Sequence, residues 1–184
     1  MKVIDNFLPD DQFEDISKEI LGKFFPWYWQ ENSHGYQLEN GTWVNIDNVP
    51  QLTHCFTDDG KIFSNYFDTF KKSSLFYKLN IKDLAKFKVN CNYKTSEQKI
   101  GFFHTDYRGE DIIKDITTSV FYLNSNNGGT KFEDGTFVKS VRNRMVTFDC
   151  STKHAAVSCT DEHRRIVVNI NYYLKNWQKI NGVI

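Results

Sequence analysis

The sequence of 184 residues lacks the features that direct a protein into a membrane or out of the cell. It has no apolar run near the roughly 18 residues that a transmembrane helix needs, and its first residues lack the pattern of a signal peptide. Lys and Arg together number 23, as do Asp and Glu, so no net positive field attracts nucleic acid or an anionic membrane. We therefore expect a cytoplasmic protein with a small-molecule or peptide partner, no strong nucleic-acid signal and no membrane partner.

Paired cysteines of the kind that hold structural zinc are also missing. Cys55, Cys91, Cys150 and Cys159 are scattered without a Cys-X-X-Cys pair, which disfavours both a disulfide framework and a zinc site. Cys150 and Cys159 bracket His154, so ligation of a soft metal by these cysteines is a minor alternative. Reduced, packed thiols are expected.

Motifs for covalent catalysis or nucleotide binding are likewise missing. The chain shows no persuasive Ser-His-Asp or Cys-His arrangement and no Gly-rich phosphate loop, so hydrolase and nucleotide-binding functions lose support. No linker or low-complexity stretch divides the sequence, and its length suits one compact domain.

Two helices are predicted before a run of strands. An amphipathic stretch begins at Pro9 and ends before Pro26, and a second extends from about Lys61 to Lys78. Their apolar residues at helical spacing are Phe13, Ile16, Ile20, Leu21 and Phe24 in the first, and Ile62, Phe63, Tyr66, Phe67 and Phe70 in the second. We expect such helices to lie against a sheet.

Short apolar runs separated by turns dominate from Phe87 onward. Asp134-Gly135, with Phe132-Glu133 before it and Thr136-Phe137 after it, predicts a hairpin. The aromatic fraction of 16% also suits sheets that bury large rings. The sequence therefore predicts a mostly β fold, with a jelly-roll core whose flanking helices cover one sheet and leave the mouth between the sheets open.

The triplet His104-Thr105-Asp106 is the main candidate for a metal site. Alternate side chains of an extended strand share a face, so His104 and Asp106 point the same way and Thr105 points the other way. His154 lies too far downstream for local pairing and must come from a different strand. Two histidines and one carboxylate on one side of a metal leave its other side open, as in the facial triad of non-haem Fe(II) oxygenases.

A strand rich in β-branched and aromatic residues follows His154 and begins at Arg165. Alternation gives this strand an apolar face and a partly polar face. The apolar face holds Ile166, Val168, Ile170 and Tyr172, and the other face holds Arg165, Val167, Asn169 and Asn171. The second face is predicted to form a pocket wall.

The order His104-X-Asp106, His154, Arg165 resembles that of the 2-oxoglutarate and Fe(II)-dependent dioxygenase superfamily, particularly its prolyl-4-hydroxylase-like branch. Small stand-alone members of that branch occur in bacteria and phages. The likeness covers roughly residues 86 to 175. It includes Tyr93, the segment Thr117–Asn124, the turn Asn127-Gly128-Gly129-Thr130 and the run from Asn143 to Phe148.

The resemblance implies one oxygenase domain over residues 1–184, with a helical, variable part over 1–85 and a jelly-roll core with the iron site over 86–175. It makes His104, Asp106 and His154 the Fe(II) ligands. Arg165 would hold the distal carboxylate of 2-oxoglutarate, because a guanidinium offers a carboxylate two parallel donors and stays charged. Arg164 is the alternative anchor, but alternation places it with the apolar residues of its strand.

Three further side chains are candidates for the 2-oxoglutarate pocket. Tyr93 would donate a second hydrogen bond to the co-substrate. Tyr122 and Thr118 are weaker candidates for the same pocket, because ordinary core packing explains them equally well. The implied co-substrates are 2-oxoglutarate and O2, with ascorbate as a further candidate, and the implied products are succinate, CO2 and a hydroxylated substrate.

The prime substrate is not legible from these motifs. The interpretations that remain are a hydroxylase of peptidyl proline or an amino acid, an oxygenase of another small metabolite or a nucleobase, and a non-oxidative cupin-type metal-binding jelly roll. An aromatic cluster could form a substrate wall, although core or lid packing is more common. The cluster comprises Trp27, Tyr28, Trp29, Tyr36 and Trp43.

The remaining histidines and one polar stretch receive no ligand role. His34, His54 and His163 are interpreted as surface residues or neighbours of the site. Residues 107–114, directly after Asp106, are polar enough for a loop that could select substrates, although a plain solvated connection explains them as well.

Overall fold

A computed structural model of the chain describes residues 1–31, 50–106 and 115–175, and the backbone of two short strands between residues 35 and 45. Most of its regular structure is strand. The strands are β1 (Lys2–Ile4), β2 (Tyr28–Gln30), β3 (Gly35–Gln37), β4 (Trp43–Asn45), β5 (Gln51–Asp58), β6 (Lys61–Ile62), β7 (Ile81–Tyr93), β8 (Ile116–Tyr122), β9 (Gly129–Phe132), β10 (Phe137–Lys139), β11 (Arg144–Asp149), β12 (His154–Val157) and β13 (Arg164–Leu174). The helices are α1 (Asp10–Ile20), α2 (Phe67–Lys72) and α3 (Leu75–Lys78).

Two antiparallel sheets form the core of the fold. The larger sheet has the order β1-β11-β8-β13-β7-β5-β2, with β6 paired to β5, and the smaller has the order β10-β9-β12. Large side chains from both sheets pack together between them: Val120, Tyr122, Phe132, Val138, Val146, Phe148 and Val167. The predicted jelly-roll core is therefore confirmed.

The helices cover the opposite face of the larger sheet. Phe13, Ile16 and Ile20 of α1 are fully buried there, in one cluster with residues of α2, α3 and the sheet. This cluster includes Ile166, Val168, Ile170 and Tyr172, the predicted apolar face of β13. No helix in the described ranges combines the length and apolar character needed to cross a membrane.

The first predicted helix is confirmed, but it ends before its last predicted apolar residue. α1 stops at Ile20, and the side chain of Phe24 is 85% exposed. Gly22 follows at once, and a Cβ there would lie 2.7 Å from the carbonyl oxygen of Lys18. This close approach suits glycine and accompanies the end of the helix.

The second predicted helix is wrong over its first third and is interrupted further on. Asp59 and Gly60 adopt positive φ and turn β5 into β6, so Ile62 belongs to a strand and is 60% exposed. The helix begins only at Phe67, as α2, and it ends before Ser73. The hydroxyl of Ser73 donates to the carbonyl of Phe70. Serine side chains that bond to nearby backbone compete with helix continuation.

The predicted hairpin at Asp134-Gly135 is confirmed. It joins β9 to β10, with the N–H of Phe132 donating to Thr136 over 2.9 Å. Gly135 has a φ of 92°, and Asp134 accepts a hydrogen bond from the Thr136 N–H. These are the turn roles for which glycine and aspartate are suited.

The part of the chain before residue 86 contributes strands as well as helices. β1 pairs with β11 at one edge of the larger sheet, and β5 pairs with β7 toward the other edge. β7 itself crosses the boundary expected at residue 85. The larger sheet is thus built from both halves of the sequence, because strands pair with neighbours in space and not only with neighbours along the chain.

Candidate metal and carboxylate site

Three side chains converge at the mouth between the two sheets. His104 forms an isolated antiparallel bridge with His154 at the start of β12, through two backbone hydrogen bonds of 3.0 Å. Asp106 Oδ1 lies 3.7 Å from Nε2 of each histidine, and the three ligand atoms lie within 4.8 Å of one another. The structure thus brings together the three predicted metal ligands. Within the described ranges, no cysteine belongs to this group.

Both histidine rings are oriented by backbone carbonyls. The Nδ1 of His104 lies 2.9 Å from the carbonyl oxygen of Phe102, and the Nδ1 of His154 lies 3.0 Å from that of Thr152. A carbonyl only accepts, so Nδ1 carries the proton in each ring and Nε2 keeps its lone pair for a metal. Phe148 also packs against His154, with ring centroids 4.8 Å apart.

The Asp106 carboxylate is held by two residues of the larger sheet. Its Oδ2 accepts hydrogen bonds from Asn171 Nδ2 at 2.6 Å and from the Thr118 hydroxyl at 3.4 Å. Asn171 also donates to Thr118 over 2.9 Å. This pair fixes one carboxylate oxygen and turns the other toward the histidines. Thr118, predicted for the 2-oxoglutarate pocket, therefore supports a ligand here.

The electrostatic surroundings favour the ionised form of Asp106. Burial by itself raises the pKa of this carboxyl, but the neighbouring His154 and the hydrogen bond from Asn171 oppose that effect. The net result is a pKa below the ordinary value of an aspartate. Asp106 is consequently ready to act as a negatively charged ligand.

Arg165 lies on the same face of the larger sheet and is only 2% exposed. Its Nη1 donates to Asn92 Oδ1 and its Nη2 to Thr130 Oγ1, each over 3.3 Å, whereas its Nε has no partner. Among the described residues, no carboxylate forms an ion pair with it. Burial lowers the pKa of the guanidinium, yet arginine keeps its charge in proteins. Arg164 is exposed at the start of β13.

Tyr122, a weaker candidate for the 2-oxoglutarate pocket, lies beside Arg165. Its ring centroid is 5.7 Å from the guanidinium carbon, and its hydroxyl donates to Thr130 Oγ1 over 2.7 Å. Tyrosine, threonine and arginine thus form one polar group between the sheets. The remaining hydrogen-bonding capacity of the guanidinium suits an anion.

The structure places Tyr93 away from this group. Tyr93 is the Cα partner of Arg164, is 46% exposed, and has its ring 6.5 Å from that of Trp29. Cross-strand partners share a face, so Tyr93 lies on the opposite face from Arg165. Asn92 is the Cα partner of Arg165 and takes the position predicted for Tyr93.

The residues that sequence reasoning missed are amides within strands. Asn92 contacts Arg165, and Asn171 contacts Asp106. Asn90 and Asn169 lie on the same face of β7 and β13 by alternation. Asparagine at every second position of otherwise apolar strands would have been a usable pattern, because asparagine is disfavoured in strands without a polar role.

The remaining histidines and aromatic residues considered for the site differ in their exposure to solvent. His54 is not a surface residue: it is 4% exposed, and its two ring nitrogens each lie 2.7 Å from a partner, the carbonyl oxygen of Pro26 and the hydroxyl of Ser64. His163 is exposed. His34, the stretch 107–114 and the side chains of Tyr36 and Trp43 lie outside the described residues. Tyr28 and Trp29 are 61% and 58% exposed.

Comparisons with known proteins support the fold. No protein-family model and no curated protein matches the sequence. Among solved structures, a prolyl hydroxylase from Trichoplax adhaerens, in complex with a hypoxia inducible factor peptide, matches with a TM-score of 0.62 and 15% identity over 94% of this chain and 82% of that one. The chain has the fold of the prolyl hydroxylases.

Two further prolyl hydroxylases match nearly as well. The prolyl-4-hydroxylase of Pseudomonas putida has a TM-score of 0.57 and 14% identity, covering 95% of this chain and 92% of that one. The viral collagen prolyl hydroxylase of Paramecium bursaria Chlorella virus-1 has a TM-score of 0.54 and 15% identity, covering 95% and 90%. This prolyl-hydroxylase fold therefore spans most of the chain.

Proposed function

We propose that this protein is an Fe(II)- and 2-oxoglutarate-dependent dioxygenase that hydroxylates a C–H bond of a peptidyl proline or an amino acid. The observation that carries the proposal is the space between the two sheets, which holds both a His-Asp-His group and a buried arginine that no described carboxylate neutralises. The prolyl-hydroxylase fold supports the same activity.

The residues present fit both Fe(II) and 2-oxoglutarate, the two groups that this chemistry requires. Two imidazoles and one carboxylate suit Fe(II) and occupy one side of the metal. The unpartnered Nε of Arg165 marks a place where an anion would remove the cost of a buried, incompletely bonded cation. Arg165 would hold the distal carboxylate of 2-oxoglutarate, with Asn92 and Thr130 supporting the guanidinium.

Bound Fe(II), 2-oxoglutarate and O2 supply the oxidising power that converts a C–H bond to C–OH, with release of succinate and CO2. The chain contributes geometry and exclusion of water. Asn171 and Thr118 keep Asp106 oriented, and the carbonyls of Phe102 and Thr152 keep the histidine rings oriented. Ascorbate is proposed only as an accessory reductant.

Two observations support a peptide or amino acid as the prime substrate. The Trichoplax adhaerens neighbour is in complex with a peptide fragment. In this chain, Tyr28 and Trp29 expose large rings on β2, where they could contact an extended ligand. A different small metabolite or a nucleobase is the second candidate, since the same site chemistry serves either. A non-oxidative cupin-type role would not explain why Arg165 is buried without neutralisation by a described carboxylate.

The decisive experiment measures binding and turnover separately. Under anaerobic conditions, Fe(II) and 2-oxoglutarate are expected to bind together, and admission of O2 is expected to release succinate. Arg165→Ala should retain Fe(II) and lose 2-oxoglutarate affinity by at least about tenfold, because a charge-assisted bidentate contact is removed. Arg164→Ala is the matched control and should behave like the wild type. Retention of co-substrate affinity in Arg165→Ala would contradict the assignment.

A further inference from the structure

A lysine on the cavity face of β7 has no role in the proposed chemistry. Lys88 is the Cα partner of Cys55 on β5 and of Asn169 on β13. It shares its face with Asn92 and therefore with Arg165, because alternate residues of a strand point the same way. Its side chain therefore extends into the space between the sheets.

Lys88 is half-buried, and among the described residues no carboxylate lies within ion-pair distance of it. The nearest acidic residue along β5, Asp58, pairs with Lys86 at 2.9 Å. Opposite Lys88, the buried Oδ1 of Asn169 also has no hydrogen-bond partner. Two adjacent polar groups on the cavity face thus have unused bonding capacity.

Lys88 and Asp106 influence each other's pKa. Burial lowers the pKa of its ammonium, whereas the negative charge of Asp106 raises it. The ammonium in turn helps to keep the pKa of Asp106 low. The register places Lys88 near the support of this metal ligand, because its partner Asn169 lies two residues before Asn171, whose amide donates to Asp106.

A charge count, which rests on the proposed function, leaves one positive charge over. Fe(II), Arg165 and Lys88 together carry four positive charges, and Asp106 supplies one negative charge. The 2-oxoglutarate dianion neutralises two more. Counted over the described residues, a single uncompensated cation then remains in the partly buried space between the sheets, which is costly unless another anion enters.

We propose that Lys88 binds a carboxylate of the prime substrate, so that the molecule hydroxylated is an acidic amino acid or a peptide with an acidic residue beside the oxidised carbon. Lys88 forms the charge-assisted contact with the carboxylate, and the buried Oδ1 of Asn169 accepts a hydrogen bond from an N–H group of the same amino acid or peptide. Arg165 thus binds a carboxylate of the co-substrate, and Lys88 binds a carboxylate of the substrate.

The test is a mass-spectrometric screen for gain of one oxygen, run on matched pairs of an acid and its amide. The pairs are aspartate and asparagine, glutamate and glutamine, and prolyl peptides with Glu or Gln next to proline. The wild type should oxidise an acidic member at least about tenfold faster than its amide. Lys88→Met should abolish this preference, and Lys88→Arg should retain it. A wild-type profile without an oxidised acidic member overturns the proposal.

Lys86→Met is the matched control, because Lys86 lies on the same face of β7 but its charge is already neutralised by Asp58 at 2.9 Å. It should keep the acid preference. A second readout is anaerobic calorimetric binding of 2-oxoglutarate to the Fe(II)-loaded protein, which Lys88→Met should leave within about twofold of the wild type. A larger loss of 2-oxoglutarate affinity in Lys88→Met, with the acid preference intact, would show that Lys88 binds the co-substrate and would overturn the proposal.

Failure of the proposed function gives a different result. In that case the wild type would bind no 2-oxoglutarate and release no succinate. If the wild type binds 2-oxoglutarate and releases succinate but treats acids and amides alike, only the role of Lys88 is wrong. Circular dichroism of each variant establishes that it is folded before these results are compared.

Discussion

The two faces of the larger sheet use the same strands for different purposes. Toward the helices, β13 presents Ile166, Val168, Ile170 and Tyr172, each at most 1% exposed. Toward the smaller sheet, it presents Arg165, Val167, Asn169 and Asn171. On this second face the Nε of Arg165 and the Oδ1 of Asn169 are buried without partners.

The difference shows where stability arises and where binding occurs. Burial of an aliphatic or aromatic side chain contributes about 1.5–3 kcal/mol, and the helix-covered face contains many such side chains. A buried polar group without a partner costs about 1–3 kcal/mol. The apolar face offsets this cost, so the cavity face can keep polar groups ready for ligands.

The largest effect on function is expected on the cavity face. His104→Ala removes one of three metal ligands and should abolish Fe(II) binding, as measured by metal content after reconstitution. The unfolding free energy of the metal-free protein should change less than in the helix-face variant below. Unchanged metal content would show that the triad is wrong, and a large loss of metal-free stability would erase the contrast between the faces.

The largest effect on stability is expected on the helix-covered side. Phe13 is fully buried and meets Phe121 edge to face at 5.9 Å. Phe13→Ala should lower the unfolding free energy by about 3–5 kcal/mol in urea denaturation, because it leaves a cavity. Phe24→Ala is the control: Phe24 is 85% exposed, so the change should stay within about 0.5 kcal/mol. Equal losses in the two variants would contradict the described packing.

A smaller effect concerns pH and the buried His54. Burial lowers the pKa of His54, and its hydrogen bond with the Pro26 carbonyl only partly opposes this. The unfolded chain then binds a proton more readily than the folded chain, so this contribution to stability is lost as pH falls below about 6.5.

Urea denaturation on either side of that pH measures the effect. The fall in unfolding free energy should be shallower in His54→Gln than in the wild type, since glutamine does not titrate. The expected difference is smaller than the loss in Phe13→Ala. Identical pH slopes in the two proteins would show that His54 does not couple to folding.

Strand alternation explains much of what the sequence could predict about the site. The rule selects Arg165 over Arg164, and the structure buries the former and exposes the latter. Applied to β7, the same rule places Asn92 and Tyr93 on opposite faces, but it does not say which of them shares a face with Arg165. That match depends on the register between β7 and β13, which only pairing in space supplies.

Helical periodicity was less informative near residue 61. Ile62 and Phe63 continue the apolar spacing of Tyr66, Phe67 and Phe70, yet they are 60% and 64% exposed. The turn at Asp59-Gly60 and pairing with β5 outweigh the periodic pattern there. Local turn chemistry and sheet pairing thus decided the conformation, because intrinsic helix propensity is a weak preference.

The sequence by itself determined the chemistry that this protein can offer: imidazole and carboxylate side chains in a fixed order, an arginine at the start of a strand, and apolar faces that require burial. The tertiary structure decided which of these groups meet. His104 and His154 become neighbours through a bridge between distant segments, and Asn171 reaches Asp106 from β13. Such contacts depend on register and sheet packing, which are set by the chain as a whole.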